Sequence, residues 1–274
     1  MNRISHDINE ERAADAFSRQ APVFDRLYGP DVIVQYKRER VREHMRRYLQ
    51  VNAAMLELNC GTGEDAVYFA ASGCKVHATD ASPGMLEQAA SKFERSPWQH
   101  LLSLEQCSFT SLEELGHKGP FDYLYSNFGG LNCTGELEKV LASFTSLVKP
   151  GGVVTLVIIS RFCLWETLLL FKGHFKTAFR RFFSRRGRLA KVEGQSFRCW
   201  YYSPSFVKRQ LGPQFALLDL EGLCTIVPPS YFTGFANKYP RIFTFLVRWE
   251  RRLKAVWPWS HWGDYYIISF RKKA

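Results

Sequence analysis

"MLELNCGTGEDAVYFA", residues 55–70, is the stretch that decides how this chain folds. An apolar run carries one acid, Glu57, and stops at Asn59-Cys60-Gly61-Thr62-Gly63. Apolar residues then resume at helical spacing. Such a strand, turning through glycines into a helix, lets backbone N–H groups approach a ligand. Gly61 and Gly63 have no Cβ to hold it off and can adopt positive φ. In an open α/β sheet the ligand crevice lies at the carboxyl ends of the strands. The next apolar run, Lys75–Thr79, ends in Asp80. A carboxylate there can accept hydrogen bonds from both hydroxyls of a ribose.

Working outward, short apolar runs alternate with helical patterns. The spacing predicts strands at about 55–59, 75–79, 102–107, 121–127 and 152–159, and helices at about 64–72, 83–95 and 135–148. Pro150-Gly151-Gly152 is read as a turn just before the fifth strand. Alternation of this kind implies a parallel sheet with right-handed crossovers. Residues 8–50 read as helical, interrupted at Pro22 and turning at Gly29-Pro30. Residues 160–200 break the rhythm with a basic, aromatic insertion centred on FKTAFRRFFSRRGR. The alternation returns near 214–221, a helix is expected at about 239–255, and the chain closes on a strand at 264–271.

The net charge of +11 is unevenly spread. Residues 1–160 hold 16 Lys+Arg and 20 Asp+Glu, whereas residues 161–274 hold 21 and 6, a balance of +15. One face of the C-terminal part is therefore expected to meet an anionic partner, or else simply to be solvated. Seven cysteines, an odd number with no CxxC spacing, fit reduced thiols rather than a disulfide framework or a zinc site. The N-terminus is polar and acidic, unlike a signal peptide. No apolar run approaches the ~18 residues of a spanning helix. A cytoplasmic protein is expected, with possible peripheral contact at an anionic membrane, because aromatic anchors sit beside basic residues in 161–200 and 239–262.

Two cofactor classes suit the glycine loop. Gly61-x-Gly63-x-x-Ala66 matches the dinucleotide fingerprint. Glu57 near the end of the first strand, by contrast, favours a cationic ligand, and the motif begins more than 50 residues into the chain, behind a helical cap. Four segments then occur in order: LELNCGTGEDA, VHATDASPGMLEQA, FDYLYSNFGGLNC and LVKPGGVVTLVI. Together they resemble the motifs of class I S-adenosylmethionine-dependent methyltransferases of the small-molecule type, over roughly residues 15–160. The sequence departs from that family at Asn59, where a glycine is frequent, and at Gln106-Cys107-Ser108-Phe109, where many members carry an adenine-binding Asp.

The resemblance implies a doubly wound, seven-stranded, mostly parallel sheet in the order 3-2-1-4-5-7-6, strand seven antiparallel. A helical N-terminal lid would span 1–50, the S-adenosylmethionine-binding core 51–160, a helical basic insertion 161–200, and the final strands with a C-terminal helix 201–274. It also implies that Gly61 and Gly63 pass beneath the cofactor, with Asn59 beside them. Glu57 would lie near the amino-acid end and Asp80 at the ribose. Ala81, Met85, Ser108 and Phe109 would surround the adenine, and Asn127 and Phe128 would border the sulfonium. Phe24 and Tyr28 would close over the site.

Methyl transfer from a sulfonium is an in-line displacement that mainly needs alignment and exclusion of water. A base is needed only for an acceptor that loses a proton, and no residue is singled out as one. His174, Arg198, Tyr201 and Tyr202, with Phe24, are the candidate acceptor contacts; no metal site is read. The acceptor is expected to be a small, rather hydrophobic molecule, such as a lipid. Nucleic-acid methylation is disfavoured, because Ser126-Asn127-Phe128-Gly129 stands where an Asn/Asp-Pro-Pro-Tyr/Phe motif would. The rival readings are an NAD(P)-dependent oxidoreductase and a non-catalytic S-adenosylmethionine-binding module.

Overall fold

The structure, a computed structural model, describes residues 6–182 and 186–274; residues 1–5 of the lid and 183–185 of the insertion lie outside the described residues. In chain order the elements are α1 (His6–Tyr28), α2 (Val32–Arg46), β1 (Ala54–Leu58), α3 (Glu64–Ala71), β2 (Lys75–Asp80), α4 (Pro83–Glu94), β3 (Leu102–Gln106), β4 (Phe121–Ser126), α5 (Leu137–Leu147) and β5 (Val148–Ile159). There follow α6 (Leu164–Leu168), α7 (Phe175–Ala178), β6 (Arg188–Val192), β7 (Gln195–Cys199), α8 (Pro204–Leu211), β8 (Phe215–Leu223), α9 (Phe235–Lys238), α10 (Pro240–Leu253) and β9 (Tyr265–Lys272).

Seven strands form one sheet in the order β3-β2-β1-β4-β5-β9-β8, while β6 and β7 pair separately. Strands β1 to β5 run parallel. Strand β9 is antiparallel to both β5 and β8. With the β6–β7 hairpin set aside, this is the expected 3-2-1-4-5-7-6 order. Strand β1 lies between β2 and β4, so the winding reverses there and opens a crevice at their carboxyl ends.

Both faces of the sheet are covered, and the alternation of side chains along each strand distributes them. Leu56, Leu124 and Leu156 join Phe144 of α5 and Val207 of α8 in one cluster. Met55, Tyr123, Tyr125 and Val157 join Met45, Phe69 and Phe93 on the other side. Helix starts follow from capping chemistry. Asp31 accepts from the Ile33 and Val34 N–H groups at 2.8 Å each, ahead of α2. Ser82 caps α4 with Pro83 in the first turn.

Two expectations need correction. Pro22 does not break the lid: α1 runs continuously from His6 to Tyr28 with Pro22 inside. Proline removes the donor that would reach the carbonyl four residues back, that of Ser18. That carbonyl lies against Gly84 of α4, where a Cβ would sit only 2.7 Å away. The insertion, too, is only half helical. After α6 and α7 it becomes the β6–β7 hairpin, turned by Glu193 and Gly194, both at positive φ. A two-residue turn of that handedness matches the twist of a hairpin.

Candidate functional site

The crevice sits at the carboxyl ends of β1, β2 and β4, beneath α1 and α2, and encloses about 160 Å³. One water needs only ~10–15 Å³, so this is space for a ligand and not a packing defect.

At the exit of β1, Asn59 takes the position where a glycine was expected and adopts φ 49°. Asparagine tolerates that region better than most residues. Its side chain ties two strands together: the amide accepts from Ser126 Oγ at 2.6 Å and donates to the Asn127 carbonyl at 3.0 Å. It also fills the space above Gly130, where a Cβ would come within 2.3 Å of it. Gly61, at φ 56°, opens onto the crevice with no atom within 4 Å of a would-be Cβ. Gly63 does not line the crevice. A Cβ there would meet Phe93 Cε1 at 2.6 Å and Ala89 Cβ at 3.2 Å, so this glycine serves the packing of α3 on α4.

At the exit of β2, Asp80 Oδ2 accepts from the Gly61 N–H at 2.9 Å and Oδ1 from the Ser82 N–H at 2.8 Å. Burial pushes this carboxyl above its usual range, against those backbone donors. Each carboxylate oxygen has a second lone pair available to a ligand. Beyond β3, Ser108 donates to Glu10 Oε2 at 3.1 Å, and Thr110 donates to the same oxygen. Glu10 Oε1 is buried and has no hydrogen-bond partner among the described residues. Glu10 belongs to α1, so the roof of the crevice brings an acid to the place where no Asp follows β3.

At the exit of β4, Asn127 Nδ2 donates to Asp65 Oδ2 at 2.8 Å, and its Oδ1 accepts the Phe128 N–H at 2.8 Å. Phe128 is held at φ 48°, an uncommon conformation for a bulky residue. Its ring faces Lys37 Nζ at 5.4 Å and the Arg38 guanidinium at 5.5 Å. Arg38 is buried, and its Nε and Nη1 lack hydrogen-bond partners among the described residues. Its nearest counter-charge is Asp65, at 3.9 Å. Glu57 is also buried, and its Oε2 is unpartnered. Burial, and then the nearby Asp65, push the Glu57 carboxyl well above the usual range. The crevice thus holds an acid and a base that are both buried and incompletely paired. Isolated polar groups of that kind are costly, and a partner is expected for each.

Besides the Glu10 contacts, further polar contacts latch helix α1 over the crevice. Asn9 Nδ2 donates to the Cys133 carbonyl at 2.8 Å, and its Oδ1 accepts the Arg198 N–H at 2.6 Å. The Ser18 and Ser82 hydroxyls are 2.8 Å apart. Asp25 accepts from Thr62 Oγ1 at 2.6 Å and pairs with Lys92 at 2.8 Å.

Of the residues singled out from sequence, Glu57, Asn59, Gly61, Asp80, Ala81, Met85, Ser108, Phe109, Asn127, Phe128 and Phe24 all line this one crevice. Gly63 and Tyr28 do not. The Tyr28 ring is exposed and rests against Phe24 at 4.7 Å. The remaining acceptor candidates also lie elsewhere. His174 is exposed ahead of α7. Arg198 donates to the Arg186 and Gly187 carbonyls within its own hairpin. Tyr201 lies under the Arg181 guanidinium at 5.2 Å. Tyr202 is a core residue whose hydroxyl donates to the Thr134 carbonyl at 2.6 Å. Among the described residues no histidine lines the crevice. Among the lining residues that sequence reading missed, Glu10 and Arg38 carry buried polar atoms without hydrogen-bond partners among the described residues. No local signal marks them, since each acts through contacts made across the fold.

A zwitterionic amino acid joined to a nucleoside fits these groups. Asp80 would hold the ribose and Glu10 the exocyclic amine. Arg38 and Glu57 would take the carboxylate and the positively charged end.

Residues 55–152 match the methyltransferase domain family. The chain is 30% identical over 127 residues to the uncharacterized methyltransferase sll0829 of Synechocystis, covering 45% of this chain and 56% of that protein. It is 26% identical over 185 residues to the demethylmenaquinone methyltransferase of Lactococcus lactis, covering 65% of this chain and 69% of that one. The chain therefore spans between about half and two thirds of the length of these relatives. Among solved structures, the 1,6-didemethyltoxoflavin-N1-methyltransferase of Burkholderia thailandensis superposes with a TM-score of 0.59 at 15% identity, covering 100% of this chain and 93% of that one. The match of residues 55–152 to the methyltransferase domain family thus falls on the strands and loops that form the crevice, within a sheet of the strand order described above.

Proposed function

We propose that this protein binds S-adenosylmethionine in the crevice and transfers its methyl group to a small, hydrophobic acceptor by in-line displacement. The observation that carries the reading is the pair of buried, incompletely paired side chains, Arg38 and Glu57, at the same crevice as Asp80 and Glu10. A dinucleotide has no α-amino acid end to meet both groups. The pyrophosphate it carries would instead meet Glu57, Asp65 and Asp80, and like charges in a buried site repel.

When bound, the cofactor supplies an already electrophilic methyl group. The chain's own residues bind, orient and exclude water. Asp80 and the Gly61 backbone fix the nucleoside. Arg38 and Glu57 fix the opposite end, which leaves one direction of attack. Phe17, Phe24 and Phe128, with Ala13 and Ala14 of the lid, supply the apolar walls that keep the nucleophile unsolvated. These walls support a hydrophobic acceptor. With no histidine lining the crevice, an acceptor that is already a good nucleophile suits the site better than one needing a strong base.

The test is a thermal-shift titration with S-adenosylhomocysteine and with NAD, followed by methyl-labelled donor incubated with a panel of hydrophobic acceptors. Saturating S-adenosylhomocysteine at ~100 times its Kd should stabilise by about 2.7 kcal/mol, NAD should do nothing, and Asp80→Asn should abolish the shift. Stabilisation by NAD alone would overturn the reading.

A further inference from the structure

Helix α10 packs one side inward. Phe243 meets Tyr36 at 6.0 Å. Glu250 is buried, and accepts from the backbone N–H groups of Cys224, Thr225, Ile226 and Val227 at 2.8–3.0 Å. A second stripe of the same helix faces outward: Ile242, Phe245 and Trp249 are 51%, 60% and 40% exposed. Their i, i+3, i+7 spacing puts them on one side. Arg241, Arg248 and Arg252 are exposed along its flank and form no ion pair among the described residues. Phe245, Trp249 and Leu253 line an apolar groove together with Leu164, Trp165 and Leu168 of the insertion. Phe171, in the same insertion, is 85% exposed, and Trp257, just beyond α10, 74%. Clustered exposed aromatics of this extent mark an interaction surface.

The charge around this face says what covers it. Of the six acids in residues 161–274, four are buried: Glu166, Glu221, Glu250 and Asp264. They are spent on internal pairs, Glu166 and Asp264 with Arg181, Glu221 and Glu250 with Arg40. The outward surface of this half is thus more basic than its composition. A second copy would bring the same positive charge and be repelled. Apolar anchors flanked by unpaired arginines suit a planar anionic surface with a hydrocarbon interior.

We propose that α10 and the adjoining insertion dock the protein onto bilayers containing anionic lipid. The inference rests on residues outside the crevice and is independent of the cofactor reading.

The test is co-sedimentation of the full chain with vesicles of phosphatidylcholine alone or mixed with phosphatidylglycerol, at about 0.05 M and about 0.5 M salt. Binding is expected only to the anionic vesicles and only at low salt. Arg241→Gln/Arg248→Gln/Arg252→Gln should weaken it ~100-fold, since each basic residue near such a surface is worth about fivefold. Phe245→Ser/Trp249→Ser should also lose binding, while keeping the far-ultraviolet circular dichroism of the wild type. Failure of the wild type to bind anionic vesicles at low salt would overturn the proposal. So would equal binding by both variants. A lipid-free dimer that Phe245→Ser/Trp249→Ser disperses would assign the face to a second copy and also overturn it.

Discussion

Replacing Arg38 with Met separates a ligand-binding charge from a structural one. The guanidinium is buried against the Phe128 ring, with Nε and Nη1 unpartnered and Asp65 at 3.9 Å. In the cofactor-free protein those unmet donors cost about 1–3 kcal/mol. Methionine removes that cost and keeps much of the side-chain volume. It loses a cation–π contact worth about 0.5–2 kcal/mol. The two nearly cancel, so the free protein should change by no more than about 1–2 kcal/mol in a urea titration. With cofactor bound the balance differs. Loss of one partner of a buried charged pair costs about 2–5 kcal/mol. The Kd for S-adenosylhomocysteine should therefore rise ~30-fold to several thousand-fold. Calorimetry with 5′-methylthioadenosine, which has no amino-acid end, is the control: wild type and Arg38→Met should bind it equally. If the variant is strongly destabilised yet binds S-adenosylhomocysteine normally, Arg38 is a structural residue and the assignment of the two ends of the crevice fails.

Four further outcomes are expected. Gly63→Ala should cost about 2–4 kcal/mol by calorimetry, from its left-handed backbone and the contact with Phe93. Gly61→Ala should cost only about 1–2 kcal/mol but weaken S-adenosylhomocysteine binding, since its methyl enters the crevice. The Glu57 carboxyl is raised in the folded state, so above its ordinary value near 4.5 the native protein holds a proton that the unfolded chain has released. Stability from this group therefore falls as pH rises from about 4.5 toward the raised value, by up to about 1.4 kcal/mol per pH unit. Glu57→Gln should abolish that slope when denaturation is followed across pH. Glu250→Ala would strand four backbone donors and remove one of the two carboxylates that face Arg40, at about 3–5 kcal/mol in urea denaturation.

Much of the crevice could be read from the sequence because its floor is local. Residues 57–63, 80–85 and 127–128 each follow directly from the end of one strand, so their order along the chain already implies their place. The acceptor candidates failed for the opposite reason. Tyr202 and Arg198 were chosen for where the chain was expected to return, and the return is through a hairpin whose side chains pair with their own neighbours. Helix α2 shows the same limit: Lys37, Arg38, Arg40 and His44 interrupt its apolar pattern like surface residues, yet all are buried. Arg40 meets Glu221 at 2.9 Å, across 181 positions of sequence. Periodicity does not register a partner so distant.

The sequence by itself determined the alternation of strands and helices, the glycine loop and the carboxylate at position 80, and its motifs carried the resemblance that implied the strand order. Alternating short apolar runs and helical runs can close only as a parallel sheet with right-handed crossovers, and the loop chemistry is written in consecutive residues. Tertiary structure alone decided that α1 brings Glu10 over the third strand's end, that Arg38 and Glu57 lie incompletely paired at one crevice, and that most acids of the C-terminal half turn inward. Each depends on which remote side chains share a buried volume, where an unmatched charge is costly and every partner is chosen by position in space.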